Sequence, residues 1–366
     1  MSGSVVDIDG RTVPELEHAA DGAPSAKRLA ALRAGAVAFR ERFRAAGRVE
    51  AVRTLDLVSA PLATAHAFDG LARGGTTQRV RAVSRLVVVR FRDFEGEPRT
   101  LCWQPATLDG MRRTPCQLGA ERHRSHLTRR AAVVEHQSPR GALERCGIDA
   151  SAIDLVALPD LHATDLRTVA GSTRAVEGEH GRRPPLFPRA RVLFQRRERE
   201  TLERAHPAHA AWYVPGGAEH AVQDALVALD GDVELGPGVA LIGAPGPLNG
   251  GQSLVLGTAA GVWVISANGV AADNWHPHLS KIPGLARAAT HLGREVAGVS
   301  TAVQSAADQY DAMIVEKTLA DPNRSDPRWT NVAPARGLAS VRAQWPVLPS
   351  YVHEPLTVGQ MSSRAR

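Results

Sequence analysis

The sequence predicts an α/β protein in which helices pack on a mixed β-sheet. Three observations lead to this prediction. Residues 13–48 repeat apolar side chains at steps of three and four, as an amphipathic helix does. Residues 85–103 form two apolar runs joined by a turn at residues 94–97, which is typical of a β-hairpin. After residue 138, short apolar runs alternate with helical segments, and this order favours a layered α/β domain.

The remaining elements follow from the same signals. Ser138 and Pro139 begin a helix that ends near Gly147, because serine can cap free amides and proline needs no amide at the first helical position. The chain becomes rich in proline and irregular after the last predicted helix. Strands are predicted at residues 52–58, 153–158, 191–195, 239–243, 253–257 and 262–266, and helices at residues 198–205, 285–292 and 302–319.

The composition excludes several classes of protein. With 366 residues, 43% of them apolar and 22% charged, the chain can bury a sizeable core. It contains no apolar run of the ~18 residues that a membrane span requires, and no secretory signal at its N-terminus. Its three cysteines form no CxxC pair, which argues against a disulfide framework or a cysteine-rich metal site. We therefore expect a cytoplasmic protein.

The positive charge does not by itself indicate a nucleic-acid partner. The formal net charge is +6, but only three of the 44 basic residues are lysine, a ratio typical of GC-rich coding. Aromatic residues make up only 4% of the chain, and the densest basic stretch, residues 112–130, contains none. Nucleic-acid surfaces usually combine clustered charge with aromatic side chains. Nucleic acid is therefore not the favoured partner.

Four segments, in order along the chain, resemble motifs of one enzyme family. Residues 147–165 read GIDASAIDLVALPDLHATD and resemble the first metal motif of the metallo-β-lactamase superfamily, His-x-His-x-Asp-His after a buried strand. Residues 187–192, FPRARV, resemble its FPNA strand entry. Residues 245–254, PGPLNGGQSL, resemble its TPGHTPGH-x-SL segment, and residues 262–268 resemble the strand that ends in a metal-bridging aspartate. The match is closest to the lactonase-like branch, which acts on small esters and lactones.

The resemblance implies an αββα sandwich with two mixed β-sheets. It covers residues 50–300, so residues 1–49 are predicted to be a helical extension. Residues 301–366 are predicted to be a helix and irregular tail that complete the same domain. In the family, two metal ions share a hydroxide that attacks a carbonyl or phosphoryl centre.

The chain departs from the family at the metal ligands. Proline offers a metal no lone pair, and neutral asparagine bridges two cations poorly, so most ligands of a dinuclear site are missing. We therefore expect no cofactor or a single divalent metal, and not dinuclear zinc. At the family's ligand positions, in order, the chain has Asp160, His162, Thr164, Asp165, Pro247 and Asn268.

The candidate site residues follow from this correspondence. Asp160, His162 and Asp165 are the predicted catalytic acid–base groups, and they are also the predicted ligands if one metal binds. Two alternatives stay open: His162 as a hydrogen-bonded loop residue, and Asp165 as the cap of a helix that begins at Leu166. Glu316 is interpreted as part of a solvated helix face. Substrate binding is predicted for Thr164, Asn268, His276 and His278.

The favoured function is an enzyme of small-molecule metabolism, with biosynthesis as one setting, derived from a lactone or ester hydrolase whose dinuclear site is largely lost. It would hydrolyse an ester, lactone or thioester, or act as a repurposed cyclase or lyase. The arginine-rich segment 105–131 is predicted to act as a lid that attracts an anionic molecule. The alternative is a non-catalytic binding or partner protein that retains the fold. A nucleic-acid-processing protein is a third, less favoured, hypothesis.

Overall fold

The computed structural model describes residues 8, 10–17, 22–73, 78–117, 133–176, 178–246, 250–299, 306–340 and 342–361. Pro247 and residues 118–131 of the predicted lid lie outside these ranges. Within the described ranges, the helices are too short or too polar to cross a membrane.

The larger sheet is mixed, because an antiparallel set of strands continues into a parallel set. The strand order is β15 (Thr357–Val358), β2 (Ala51–Ala63), β3 (Arg79–Arg92), β4 (Pro98–Trp103), β6 (Leu155–Ala157), β7 (Arg191–Gln195) and β8 (Leu226–Leu229), with β5 (Val134–Glu135) on β2 and β14 (Arg336–Leu338) on β3. Strands β2, β3 and β4 pair antiparallel, and β4, β6, β7 and β8 pair parallel.

The smaller sheet is also mixed. Its strands pair antiparallel except for the last two, which run parallel. The strand order is β1 (Arg11–Thr12), β9 (Val233–Gly236), β10 (Val239–Gly243), β11 (Gln252–Thr258), β12 (Gly261–Ser266) and β13 (Val332–Pro334).

Helices cover the outer faces of both sheets. The longest is α2, which Ser25 begins by accepting a hydrogen bond from the Arg28 amide at 3.2 Å. The helices are α1 (Pro14–Glu17), α2 (Ala26–Ala46), α3 (Thr64–Ala67), α4 (Leu108–Arg112), α5 (Pro139–Arg145), α6 (Leu166–Ala170), α7 (Arg196–Glu203), α8 (Pro207–Ala210), α9 (Ala272–Trp275), α10 (Leu285–Leu292) and α11 (Ala306–Leu319).

The pleat of each strand divides the apolar side chains between three layers. Val87 and Val89 of β3 face the smaller sheet and form one core with Leu241 of β10 and Leu254 of β11. The alternate residues Leu86 and Val88 face outward and pack under α5 and α6 in a second core, which includes Leu143 and Leu166. On the other side, Phe39 and Phe43 of α2 and Met313 of α11 cover Val255 and Val264. The predicted αββα sandwich with two mixed sheets is confirmed.

One local prediction needs revision, and another is confirmed where the structure describes it. The segment 105–131 is not a plain loop, because α4 lies within it and Thr107 caps that helix by accepting a hydrogen bond from the Gly110 amide. The helix predicted at residues 302–319 is confirmed for Ala306–Leu319, and residues 302–305 lie outside the described ranges. Residues 1–49 are predicted to be an extension, yet α2 packs on α11 and on the smaller sheet as part of the same layer. Domain boundaries at residues 49 and 300 stay a prediction.

Candidate functional site

The candidate site lies where strands from the two sheets end. Residues 158–165 leave the carboxyl end of β6, and Gln104 follows the carboxyl end of β4. Ala244 and Ala267 follow β10 and β12 in the facing sheet. Ligands in open α/β sheets commonly bind in crevices outside the carboxyl ends of strands. The topology therefore collects loops from distant parts of the sequence at one edge of the sandwich.

Two small recesses open at this edge and share Pro159, Asp160 and His162. We call them the first and the second recess. The enclosed part of each has room for about one water molecule, so only a small group of a ligand can enter. The first is lined also by Ala244, Gly246, Gly251, Gln252, Ala267 and Asn268, and the second also by Gln104, Pro105, Ala106, Met111, Leu158, Ala163, Thr164 and Arg336.

The segment between the recesses is held in place by backbone and side-chain hydrogen bonds. The amide of His162 donates to Asp160 Oδ1 at 3.0 Å, and Thr164 Oγ1 donates to the His162 carbonyl at 3.2 Å. Gln252 Nε2 donates to the Leu158 carbonyl at 2.8 Å, which fixes the start of the segment to β11. Ala163 has a φ of +54°, a conformation that costs a residue with a Cβ about 1 kcal/mol and that the surroundings must impose.

His162 is the central side chain of the site. It is 6% exposed, and its Nε2 has no hydrogen-bond partner among the described residues. Its ring lies 5.1 Å from the Tyr213 ring and 6.0 Å from that of Trp212, centroid to centroid. Burial lowers the pKa of His162 to about 4, although the charge of Asp160 opposes the shift. The imidazole is therefore neutral at pH 7 and carries an unused polar atom.

Asp160 is paired with an arginine that no sequence pattern singles out. Arg336 Nη2 donates to Asp160 Oδ1 at 3.1 Å, across 176 positions of sequence. With its amide oriented to satisfy both neighbours, Gln104 donates to the Ala335 carbonyl and accepts from Arg336 Nε at 3.2 Å. Asp160 and Arg336 are thus a fixed ion pair in the wall of the second recess.

Asp165 does not fit the predicted role of catalytic group or metal ligand. Its side chain is fully buried and lines neither recess. It caps α6 by accepting from the Arg167 amide at 3.0 Å, which was the alternative interpretation. Its two oxygens also accept from the guanidinium groups of Arg113, Arg167 and Arg183 at 2.8–3.0 Å. All of its hydrogen-bonding capacity is used, so none remains for a metal or a substrate.

The other predicted substrate-binding residues divide into two pairs. Thr164 lines the second recess and Asn268 the first. His276 and His278 line neither. His276 Nε2 contacts Thr330 Oγ1 at 2.9 Å and the ring lies 5.6 Å from Trp329, while His278 is exposed beside Thr290. The prediction for the two histidines is not supported by their positions.

The described residues do not fit a metal centre. No three histidine, cysteine, aspartate or glutamate side chains among them are grouped so that they could hold a metal ion. Of the three predicted ligands, Asp165 is enclosed by three guanidinium groups and Asp160 accepts its hydrogen bonds on Oδ1, so only Asp160 Oδ2 and His162 Nε2 are without a partner among the described residues. A metal site needs about three protein donors, and these two atoms are too few to hold a metal ion.

Glu198 lies beneath the segment and was missed in the sequence. It is fully buried, and its Oε1 accepts from the Leu161 amide at 3.0 Å and from Tyr213 Oη at 3.1 Å. Its Oε2 has no partner within the described ranges. Burial, followed by the charge of Asp160, raises the pKa of Glu198 to about 8. The highly charged sequence of α7, RRERETLE, conceals a carboxyl group that is protonated at pH 7.

Comparisons with solved structures find proteins of similar fold. AidC, a dizinc quorum-quenching lactonase in complex with the product N-hexanoyl-L-homoserine, is 13% identical, with a TM-score of 0.45 over 86% of this chain and 95% of that one. An AiiA variant from B. thuringiensis with N-decanoyl-L-homoserine at its active site is 14% identical, with a TM-score of 0.44 over 67% and 88%. The protein resembles these two structures in fold.

A third similar structure is the hydrolase AbOPH of the beta-lactamase superfamily, which is 11% identical, with a TM-score of 0.43 over 84% of this chain and 99% of that one. No protein-family model and no curated protein sequence matches the chain. At these identities and TM-scores the likeness concerns the course of the chain alone.

Proposed function

We propose that this protein is an enzyme of small-molecule metabolism that hydrolyses a small ester or lactone at the cleft beside His162, without a dinuclear metal centre. The observation that supports the proposal is the Nε2 atom of His162. A buried polar atom without a partner costs about 1–3 kcal/mol, and native proteins rarely keep one without a reason. Here the atom belongs to a ring that borders both recesses.

In the proposed reaction, His162 acts as general base and then as general acid. Nε2 accepts a proton from a water molecule whose oxygen attacks the carbonyl carbon, and the C–O bond to the leaving alcohol breaks. The imidazolium then returns the proton to the departing oxygen, so the products are a carboxylic acid and an alcohol. Asp160 acts as a positioning residue, because its carboxylate accepts a hydrogen bond from the backbone amide of His162 and its negative charge favours the imidazolium.

The test is turnover of short-chain esters, lactones and thioesters by protein treated with a chelator. We expect activity to persist without added metal and to fall about 10²–10⁴-fold in His162→Asn, as is usual for loss of a general base. The matched control is His278→Asn, which alters an exposed histidine outside the cleft and should retain full activity. Activity that requires an added divalent cation would contradict the proposal, as would equal loss in both variants.

The second candidate is a binding protein that uses the same cleft without catalysis. The specific observation in its favour is the pKa of His162, because an imidazole that titrates at about 4 is a weak base at pH 7. A binding protein would bind ligands in the cleft and turn over none of the panel. The two functions therefore differ in turnover, whereas both predict that His162→Asn weakens binding.

A further inference from the structure

The second recess combines one fixed cation with a largely apolar wall. Its lining contains a single ion pair, Arg336 with Asp160, and otherwise mainly apolar side chains such as Met111 and Leu158. The arginine side chain is 29% exposed, so it can be reached from the mouth of the recess. An apolar wall excludes water from the guanidinium and strengthens its interaction with an incoming anion.

The donors of Arg336 are only partly used. Nε is directed to Gln104 and one N–H of Nη2 to Asp160 Oδ1, whereas Nη1 has no partner among the described residues. Gln104 is itself held in a left-handed conformation, with a φ of +53°, at the end of β4. The guanidinium is therefore fixed in orientation and retains two adjacent N–H groups, the arrangement that binds a carboxylate through both oxygens.

We propose that Arg336 is the anion-recognition residue of the cleft, and that the ligand is a small carboxylic acid with a short apolar chain. The carboxylate enters the second recess and binds to Nη1 and the free N–H of Nη2, and the apolar chain extends outward from the mouth of the recess. Asp160 competes with the ligand for the same guanidinium. This proposal deepens the proposed function by naming the class of compound that the same cleft accepts.

Competition by Asp160 leads to an unusual pair of expected results. Replacing the cation in Arg336→Met should weaken binding of the carboxylate at least 10-fold, because the charged donors are lost. Arg336→Lys should weaken it less, since the charge remains but the two-pronged geometry is lost. Replacing the competing anion in Asp160→Asn should tighten binding several-fold, because the guanidinium is released and the repulsion is removed.

The experiment is calorimetric or NMR titration of the full chain with hexanoate, and with hexanamide as a neutral probe of the same shape. Hexanoate should bind at least 10-fold more tightly than hexanamide. The matched controls are Arg328→Met and Asp326→Asn, which alter an exposed ion pair of the same kind outside the cleft and should leave hexanoate affinity unchanged.

Three results would overturn the proposal. The first is equal affinity for hexanoate and hexanamide, and the second is the absence of saturable hexanoate binding up to about 50 mM. The third is weaker binding in both Arg336→Met and Asp160→Asn, which is what a purely structural ion pair would give. Because the titration needs no turnover, hexanoate recognition without activity on the ester panel would reject the proposed enzyme and keep this inference. Turnover of the ester panel together with equal affinity for hexanoate and hexanamide would keep the proposed enzyme and reject this inference.

Discussion

Two buried glutamates in this molecule have opposite surroundings. Glu316 of α11 is covered by the smaller sheet and accepts four side-chain hydrogen bonds, all at 2.8 Å, from Ser253, Ser266, Asn268 and Trp275. Glu198 beneath the cleft accepts two hydrogen bonds, both on Oε1. The two are equally inaccessible, at 2% and 0% exposure.

The difference separates a structural carboxylate from one beside a functional cleft. A buried polar network whose members are all satisfied specifies one packing of the core, and the Glu316 cluster orients Asn268 in this way. Around Glu198 and His162, by contrast, one oxygen and one nitrogen lack partners among the described residues. Of these two groups, His162 borders both recesses and is available to a ligand, whereas Glu198 lines neither recess and holds the same segment through the Leu161 amide.

The largest effect on stability is expected at Glu316. Glu316→Ala leaves four buried donors without their acceptor and opens a cavity, so we expect the free energy of unfolding to fall by about 3–5 kcal/mol. Unfolding in urea measures this loss of stability. The control, Glu203→Ala, removes a half-exposed glutamate and should change stability by less than about 0.5 kcal/mol. Similar losses in the two variants would show that the Glu316 cluster does not stabilise the core.

A somewhat smaller loss is expected in Asp165→Asn. This substitution keeps the shape of the side chain but leaves three guanidinium groups without their shared anion, and we expect a loss of about 2–4 kcal/mol. Asp160→Asn, which removes one partly exposed partner, should cost less than about 1 kcal/mol. Chemical unfolding of both proteins tests whether stability follows the number of partners. A larger loss of stability in Asp160→Asn than in Asp165→Asn would contradict this expectation.

The next effect depends on pH and concerns Glu198. Its pKa is raised to about 8 from 4.5, so folding binds a proton between these values and stability falls as pH rises through this window. The slope is at most about 1.4 kcal/mol per pH unit. Glu198→Gln, which mimics the protonated acid, should lack this contribution, so the variant gains stability relative to the wild type from pH 5 to 8. Stability that changes with pH in parallel for the two proteins would contradict the raised pKa of Glu198.

A second pH-dependent effect is expected at His162, whose pH window is narrower than that of Glu198. Its pKa is lowered to about 4 from 6.5, so the unfolded chain binds the additional proton and stability is lost as pH falls from 6.5 towards 4. In His162→Asn this loss should be absent, and the difference in stability between the two proteins should change in that range alone. Thermal unfolding in a series of buffers measures it. A difference that is constant with pH would indicate that His162 is not neutral in the folded protein.

Much of the fold could be predicted because short apolar runs bounded by turns determine strands locally. The strands at residues 191–195 and 239–243 and the helix at residues 285–292 have the predicted bounds. This helix ends at Gly293, whose φ of +62° is the left-handed conformation that glycine commonly adopts at the C-terminus of a helix. The interpretation of Glu316 as a solvated residue was wrong, because α11 is covered on more than one side and its charged residues are not all on an outer face.

Only the part of the site that is formed by residues close together in the sequence could be predicted. Asp160 and His162 are two positions apart on one loop, and both border the recesses. Arg336 and Gln104 are 232 positions apart, and they meet because β14 and β4 both pair with β3. No local pattern distinguishes this arginine from the many others. The burial of Glu198 likewise depends on contacts that α7 makes after folding.

One neighbour of the central histidine gives the site a built-in optical reporter. The indole of Trp212, one of six tryptophans in the chain, contacts the rings of both His162 and His66, with centroids 6.0 and 6.4 Å away. An imidazolium accepts an electron from an excited indole far more readily than a neutral imidazole does. The part of the fluorescence that comes from Trp212 therefore follows the charge of its histidine neighbours, and a molecule that changes that charge changes this emission without a dye.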